Sequence, residues 1–242
     1  MTNTPNLTDR EFWLNYWKGF QAAPVSENQF FEDLLDRLPQ GKKRLLEVGG
    51  FPGSFCAYFK KKLGYDVTLV DFIAFPEPIR SVEKANQLGS GEIGSIEGDF
   101  FALQPERKFD VVFSAGFIEH FDDTRRVIAR HLEWLADDGT LFITLPNFRG
   151  LNGFVQKTLD PKNFKAHNLQ SMDLARLRET CASLGLHEVS VFYHGMPCLW
   201  LDHPEQIHPL IRKLVYLTSY AISKLPGKGR FLAPHIVVLA KK

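Results

Sequence analysis

Three cysteines, Cys56, Cys181 and Cys198, are all that the 242-residue chain holds, far apart and with no C-x-x-C pair. A disulfide framework uses a denser, even set, so none is expected. A charge excess of either sign is missing too: 29 Lys and Arg against 28 Asp and Glu leave +1. Nucleic-acid binders carry a basic excess, so no nucleic-acid partner is expected. Long apolar runs are absent. The greasiest stretch, Leu214 to Leu225, is broken by Thr218, Ser219, Ser223 and Lys224, whereas a bilayer span takes about 20 mostly apolar residues. Stable membrane insertion is therefore not expected. The first residues, MTNTPNLTDREFW, show no basic region followed by an apolar core, and a soluble, cytoplasmic protein is the expectation. Internal repeats and low-complexity segments are also lacking.

What is present is a large apolar inventory. Hydrophobic residues make up 44% of the chain, and Phe alone supplies 21 residues against four Trp and six Tyr. That is enough for a sizeable core and excludes a disordered chain. From residue 45 to 145 short apolar runs alternate with amphipathic ones. Strands are predicted at Leu45–Val48, Asp66–Asp71, Gly94–Glu97, Phe109–Ser114 and Gly139–Leu145. Helices are predicted between them at Phe55–Leu63, Pro78–Leu88 and Asp122–Leu135. This rhythm means stacked βαβ units on a parallel sheet. Two further helices are predicted before the first strand, at Asp9–Phe20 and Ser26–Leu38. After it come a helix at Ser171–Leu184 capped by Ser171, a strand at Glu188–Phe192, a helix at Gln206–Lys224 and a last strand at Ala233–Ala240. The stretch from Pro146 to Leu169 is long for a connection and reads as a lid or substrate loop. No linker divides the chain, so one domain is expected: N-terminal helices over 1–40, a ligand-binding core over 41–146, a substrate-side cap over 147–170, and the rest of the sheet and helices over 171–242.

LLEVGGFPGSF carries the most information. A strand runs into Gly49-Gly50-Phe51-Pro52-Gly53, and a helix begins there. Glycines at a helix N-terminus let backbone N–H groups approach a ligand. Asp71 ends the second strand, 22 residues after Gly49, the distance at which a carboxylate can accept from both hydroxyls of a ribose. A dinucleotide loop takes G-x-G-x-x-G, which this loop does not fit. Glu47, two residues ahead of the first glycine, would repel a pyrophosphate but suits an ammonium group.

With Glu47, Gly49 and Gly53 in place, the segment resembles the first motif of the class I S-adenosylmethionine-dependent methyltransferases, small-molecule type; Phe51 stands where the family has a middle glycine. The resemblance implies a three-layer Rossmann-like α/β fold with a seven-stranded, mostly parallel sheet and an antiparallel last strand. It implies S-adenosyl-L-methionine as cofactor, with Glu47 and the loop (Gly49, Gly50, Phe51, Gly53) at its methionine end, Asp71 on the ribose and Phe72 beside the adenine. Glu97-Gly98-Asp99-Phe100 resembles the segment after the family's third strand, which implies Asp99 on the adenine amino group and Phe100 against the ring. FDVVFSAGFIEHF resembles the fourth strand and its turn, which implies Ser114, Ala115, Gly116 and Phe117 along the cofactor near the sulfonium. NFRGLNGFVQ…HNL resembles a stretch of some small-molecule and glycan-pathway members. Nucleic-acid base methyltransferases of this fold carry an Asp/Asn-Pro-Pro-aromatic motif after the fourth strand, and Ser114-Ala115-Gly116-Phe117 is not one.

The resemblance implies methyl transfer to a small-molecule acceptor. At a hydroxyl oxygen, a general base assists, and His is the usual one. His167, in the long segment after the fifth strand, is the first candidate; His120, at the end of the fourth, is the second; His194 is a distant third. No metal site is expected: His203 and His208 straddle Pro204 off one helix face, and a helix start accounts for Glu119, Asp122 and Asp123. Two rival functions stay open, a catalytically silent S-adenosylmethionine-binding partner or regulatory subunit, and a nicotinamide-dependent oxidoreductase that the loop spacing disfavours. A silent protein could fill its cavity with Phe117, Phe148 or Phe154. The helix at Gln206–Lys224, with Ile207, Leu210, Ile211, Leu214, Leu217 and Ala221 on one face, is expected to pack on the sheet or join a homodimer, ahead of a role at a lipid surface.

Overall fold

Each apolar run predicted as a strand pairs into one sheet in the structure, a computed structural model that describes residues 7–27, 29–201, 204–225 and 229–242. The strands are β1 (Arg44–Val48), β2 (Asp66–Asp71), β3 (Ile93–Glu97), β4 (Phe109–Ala115), β5 (Leu135–Pro146), β6 (His187–His194) and β7 (His235–Lys241). Their order is β3-β2-β1-β4-β5-β7-β6. The first five are parallel, and β7 runs antiparallel between β5 and β6. Right-handed parallel crossovers require helices on the faces. They are α2 (Ser54–Leu63), α3 (Pro76–Ala85), α4 (Thr124–Trp134) and α7 (Leu174–Ser183).

Pleating sends neighbours in a strand to opposite faces. Leu45, Val67, Leu69, Val111 and Phe113 join α2 and α3 in one core, while Leu46, Val48, Val112 and Ile143 join α4 and α7 in the other. Many of the phenylalanines pack here. Phe31, fully buried, lies against Phe59, Phe113 and Phe142.

Several elements differ from expectation. Ser26–Leu38 does not coil into an α-helix; only a 3-10 turn at Glu32–Arg37 forms. The N–H of Val25 donates to the Asn86 side chain at the end of α3, 2.8 Å away, and Phe31 is plugged into the core, so the segment is stretched across two anchors. The first helix, α1, is Arg10–Tyr16, capped by Asp9. α7 starts at Leu174 with Asp173 as its cap, because Ser171 Oγ donates instead to the Asn168 carbonyl at 2.6 Å. The stretch 147–170, expected as a cap, contains two short helices, α5 (Leu151–Leu159) and α6 (Pro161–Lys165).

The helix α8 (Pro209–Ile222) is the largest departure: it is not packed on the sheet. Val215 is its sole buried residue, in a small satellite cluster with Leu199 and Leu201. Of the expected apolar face, Leu210, Ile211, Leu214 and Leu217 are exposed, and only Ile207 joins that cluster. His208 caps this helix; His203, which was not expected to form a metal site with it, lies outside the described residues.

Trp134 closes the core on the α4 side, stacked on Phe100, with its indole N–H buried and without a hydrogen-bond partner among the described residues. Trp134→Ala should destabilise the protein by about 3–5 kcal/mol. Trp134→Phe should cost far less, because it retains most of the packing and removes an unsatisfied donor. Chemical denaturation of the two variants checks this ordering.

Candidate functional site

In a parallel sheet with helices on both faces, ligands sit beyond the carboxyl ends of the strands where the strand order reverses. Here that point lies between β1 and β4, where a cavity of about 500 Å³ opens. Its floor is the loop between β1 and α2. Gly49 has φ +70°, and a Cβ on it would stand 2.5 Å from the Phe117 ring; a Cβ on Gly50 would meet the Glu47 side chain at 2.5 Å. Main chain and side chains are in contact here with no room for a methyl group. The turn closes with the N–H of Gly53 donating to the Gly50 carbonyl at 2.7 Å.

Two carboxylates hold this loop. Glu47, buried at the end of β1, accepts from the Cys56 N–H at 2.9 Å in the first turn of α2. Burial pushes its carboxyl up to about 8, against the pull of that hydrogen bond. Asp71, at the end of β2, accepts from the N–H groups of Phe51 (3.1 Å) and Ile73 (3.2 Å), one on each oxygen. Burial raises it to about 6, opposed by these backbone donors. Each Asp71 oxygen keeps a further lone pair.

Glu47, Gly49, Gly50, Phe51, Asp71, Phe72, Asp99, Phe100, Ala115, Gly116 and Phe117 all line the cavity. Two expected residues do not. Gly53 turns toward the sheet, where a Cβ would meet Leu69 at 3.2 Å; its φ of +102° serves the start of α2. Ser114 is fully buried on the other face of β4. The ring of His131 donates from Nδ1 to the Val127 carbonyl at 2.8 Å, so its Nε2 accepts from Ser114 Oγ at 3.1 Å. Phe100 is mostly a core residue, edge-on to Phe117, while Phe101, which the sequence did not single out, shares the wall beside it.

The roof comes from α1. Phe12, Trp13, Tyr16 and Trp17 line the cavity, with Trp17 edge-on to Phe51 and Trp13 edge-on to His120. The far wall is built by distant segments, among them Phe148, Trp200 and His235. No local pattern marks Trp200 or His235, which reach the cavity only through chain crossings.

His120 and His167 meet on that side, their rings 4.7 Å apart. Each donates its Nδ1–H to a carbonyl, His120 to Ala166 at 3.0 Å and His167 to Asn163 at 2.7 Å. Nε2 therefore carries the lone pair in both. Burial depresses His120 to about 3, and His167 is lowered for the same first reason. Glu119 completes the group. It is fully buried and lines the cavity, and neither of its oxygens has a hydrogen-bond partner in another described residue. Burial pushes its carboxyl up to about 8. One ligand atom from each of Glu119, His120 and His167 lies within 4.8 Å of the others. Such a set can take up an acceptor hydroxyl or a divalent cation. The adjacent Glu119-His120 pair was visible in the sequence, but the helix start that explained Glu119 is capped by Asp123 instead. His194 is elsewhere, pinned to the Phe30 carbonyl (2.8 Å) and Asp33 (3.1 Å).

Comparison with known proteins agrees with this architecture. Residues 25–190 match the family model described as a methyltransferase domain. No curated protein sequence matches the chain. Among solved structures, it is similar to an S-adenosylmethionine-dependent methyltransferase from Archaeoglobus fulgidus, with 19% identity, TM-score 0.56, and 97% and 100% of the two chains covered. It also resembles the chain solved in complex with the Trm112 methyltransferase activator of Haloferax volcanii (15%, TM-score 0.60, 88% of each chain). A third likeness is to phosphoethanolamine N-methyltransferase 2 of Haemonchus contortus (16%, TM-score 0.60, 95% of this chain and 56% of that one). At these identities the structural likeness carries the fold. The family match spans more than half of the chain, which therefore belongs to the methyltransferase domain family as a class I, S-adenosylmethionine-dependent methyltransferase.

Proposed function

We propose that the protein methylates a hydroxyl oxygen of a small-molecule acceptor. The observation that carries this reading is one continuous cavity with two chemically different ends. Along one end run Glu47, the Gly49–Phe51 turn, Asp71, Phe72 and Asp99, which fit an ammonium group, a ribose and an adenine in that order. At the other end stand Glu119, His120 and His167. A cavity of about 500 Å³ is the size of a single drug-sized ligand. With the cofactor bound, little space is left for the acceptor, so a small acceptor or a narrow end group fits best.

S-adenosylmethionine, when bound, supplies a methyl group on a sulfonium, whose carbon–sulfur bond breaks with its electron pair kept by sulfur. The chain's own residues position, desolvate and move a proton. The N–H groups of the glycine turn and the Glu47 carboxylate hold the amino-acid end. Asp71 accepts from the ribose hydroxyls with its remaining lone pairs. The α1 aromatics exclude water from the line of transfer. The Nε2 of His167 accepts the acceptor's hydroxyl proton as the new oxygen–carbon bond forms, with His120 beside it as the second acceptor and Glu119 as a hydrogen-bonding anchor. Against a silent binding protein, Phe117 and Phe148 line the cavity without closing it, and Phe154 is exposed.

The deciding experiment is incubation with methyl-labelled S-adenosylmethionine and parallel panels of hydroxyl- and amine-bearing small molecules. Methyl ethers are the expected products, and labelled amines alone would sink the reading. For an acceptor found in this way, His167→Ala should leave S-adenosylhomocysteine titrations unchanged and lower turnover by about 10²–10⁴. A second reading is favoured by the closeness of Glu119, His120 and His167: a divalent cation there would polarise the hydroxyl. Turnover that survives EDTA fits the proton-acceptor reading; turnover lost to EDTA and restored by Mn²⁺ assigns the cluster to a cation.

Asp71→Ala should weaken S-adenosylhomocysteine binding at least tenfold, since a hydrogen bond to a charged group contributes about 1.5–3 kcal/mol. Asp71→Asn, which keeps one acceptor oxygen, should lose less. Calorimetric titration of both variants reads the difference.

Glu47 gives a proton-linkage prediction. With its carboxyl at about 8 in the free protein, it is mostly protonated at pH 7, and pairing with an ammonium group favours the ionised form. Binding of S-adenosylhomocysteine at pH 7 should therefore release up to about one proton. Affinity should rise as pH increases toward 8. Calorimetry in buffers of different ionisation enthalpy measures the release, which Glu47→Gln should abolish.

A further inference from the structure

The greasiest stripe of α8 faces away from the protein. Leu210, Leu214 and Leu217, one above the other at i, i+4 and i+7, are 72%, 64% and 57% exposed. Tyr216 and Tyr220 flank them, also exposed. The opposite face makes the attachment: Val215 is buried beside Leu199 and Leu201, and the N–H of Leu199 donates to Ser219 Oγ at 2.8 Å. Nearby in the fold, Phe231 and Phe154 are exposed as well. The Phe231 carbonyl accepts from the Leu151 N–H at the start of α5, the helix that carries Phe154. Scattered exposed apolar residues are ordinary, but a helix with a full outward stripe of them marks an interaction surface.

Charge identifies the partner. Between Ile207 and Lys224 the sequence contains Arg212, Lys213 and Lys224 and no Asp or Glu, although the whole chain is balanced at +1. Lys213 is exposed beside the leucine stripe and Lys224 lies just beyond the helix, while Arg212, on the attached side, donates to the Pro204 carbonyl at 3.4 Å. At 14 residues, α8 is about 21 Å long, and no helix among the described residues is long and apolar enough to cross a membrane. A helix with outward leucines, flanking tyrosines, basic residues and no acid is built to lie in the interface of an anionic bilayer. A second copy of the chain fits less well, since a two-fold contact through this face would bring cation against cation.

We infer that α8 docks the protein on an anionic lipid surface, its leucine stripe sunk among the acyl chains and its basic residues among the headgroups. The surface is separate from the cavity and does not depend on which acceptor is methylated. Flotation of the full chain with phosphatidylcholine vesicles containing phosphatidylglycerol tests it, with pure phosphatidylcholine vesicles as the control. Binding should need the anionic lipid and weaken with added salt. The double variant L214E/L217E should bind at least tenfold more weakly while titrating S-adenosylhomocysteine like the parent, which shows that it is folded. K213E should weaken binding less. Equal binding to both vesicle types, no binding to either, or unchanged binding by L214E/L217E would overturn the inference. So would a parent chain that runs as a dimer, fails to bind vesicles and becomes monomeric in L214E/L217E, which would make α8 a self-association face.

Discussion

Two buried carboxylates gripping one glycine turn are the constraint on which the rest of this molecule rests. Glu47 ties the end of β1 to the first turn of α2, and Asp71 ties the end of β2 to Phe51. The turn is packed so closely that a Cβ on Gly50 would meet Glu47 and one on Gly49 would meet Phe117, so neither position has room for a side chain. The arrangement keeps charged or readily charged groups out of water, and burial raises both carboxyls. Sites that hold ligands often carry such a cost in the free protein, since the ligand's own charge and donors offset it.

The second half of the cavity is positioned by hydrogen bonds rather than by core packing. Asn168 joins the segment after α6 to the turn after β4: its N–H donates to the Glu119 carbonyl, and its side chain donates to those of Phe121 and Asp122. His120 makes a further link to Ala166. These bonds bring Glu119, His120 and His167 together across 46 residues or more of sequence. The same bonds set the tautomer of His120, so positioning and proton affinity come from one network. Around it the aromatic rings of α1 and Phe148 lower the local polarity, which keeps both imidazoles neutral and Glu119 protonated at neutral pH.

Much of this was legible beforehand because it is local. The strands at Leu45–Val48, Asp66–Asp71 and Phe109–Ser114 announce themselves by apolar runs bounded by turn residues. The glycine turn and Asp71 are a spacing that a βαβ unit converts directly into proximity. Ser114 and Gly53 went astray for a common reason: a motif gives the strand end, but the pleat and the turn decide which face each residue takes. The helix expected at Ser26–Leu38 failed because Phe31 and the Asn86 contact hold that segment at fixed points, an outcome that periodicity does not register.

The sequence by itself determined the parallel sheet, the glycine turn and the family, since alternating hydrophobic periods and short-range spacing act within a few tens of residues. Tertiary structure alone decided which side chains share the cavity. Trp200 and His235 arrive from segments far apart in the chain. It also decided the fate of α8. Its pattern reads the same whether its leucines face a sheet or face outward, because amphipathic spacing fixes that a helix has an apolar side but not what that side meets. Here the sheet face was already filled by α4 and α7 on one side and by α2 and α3 on the other, and the leucines were left outside.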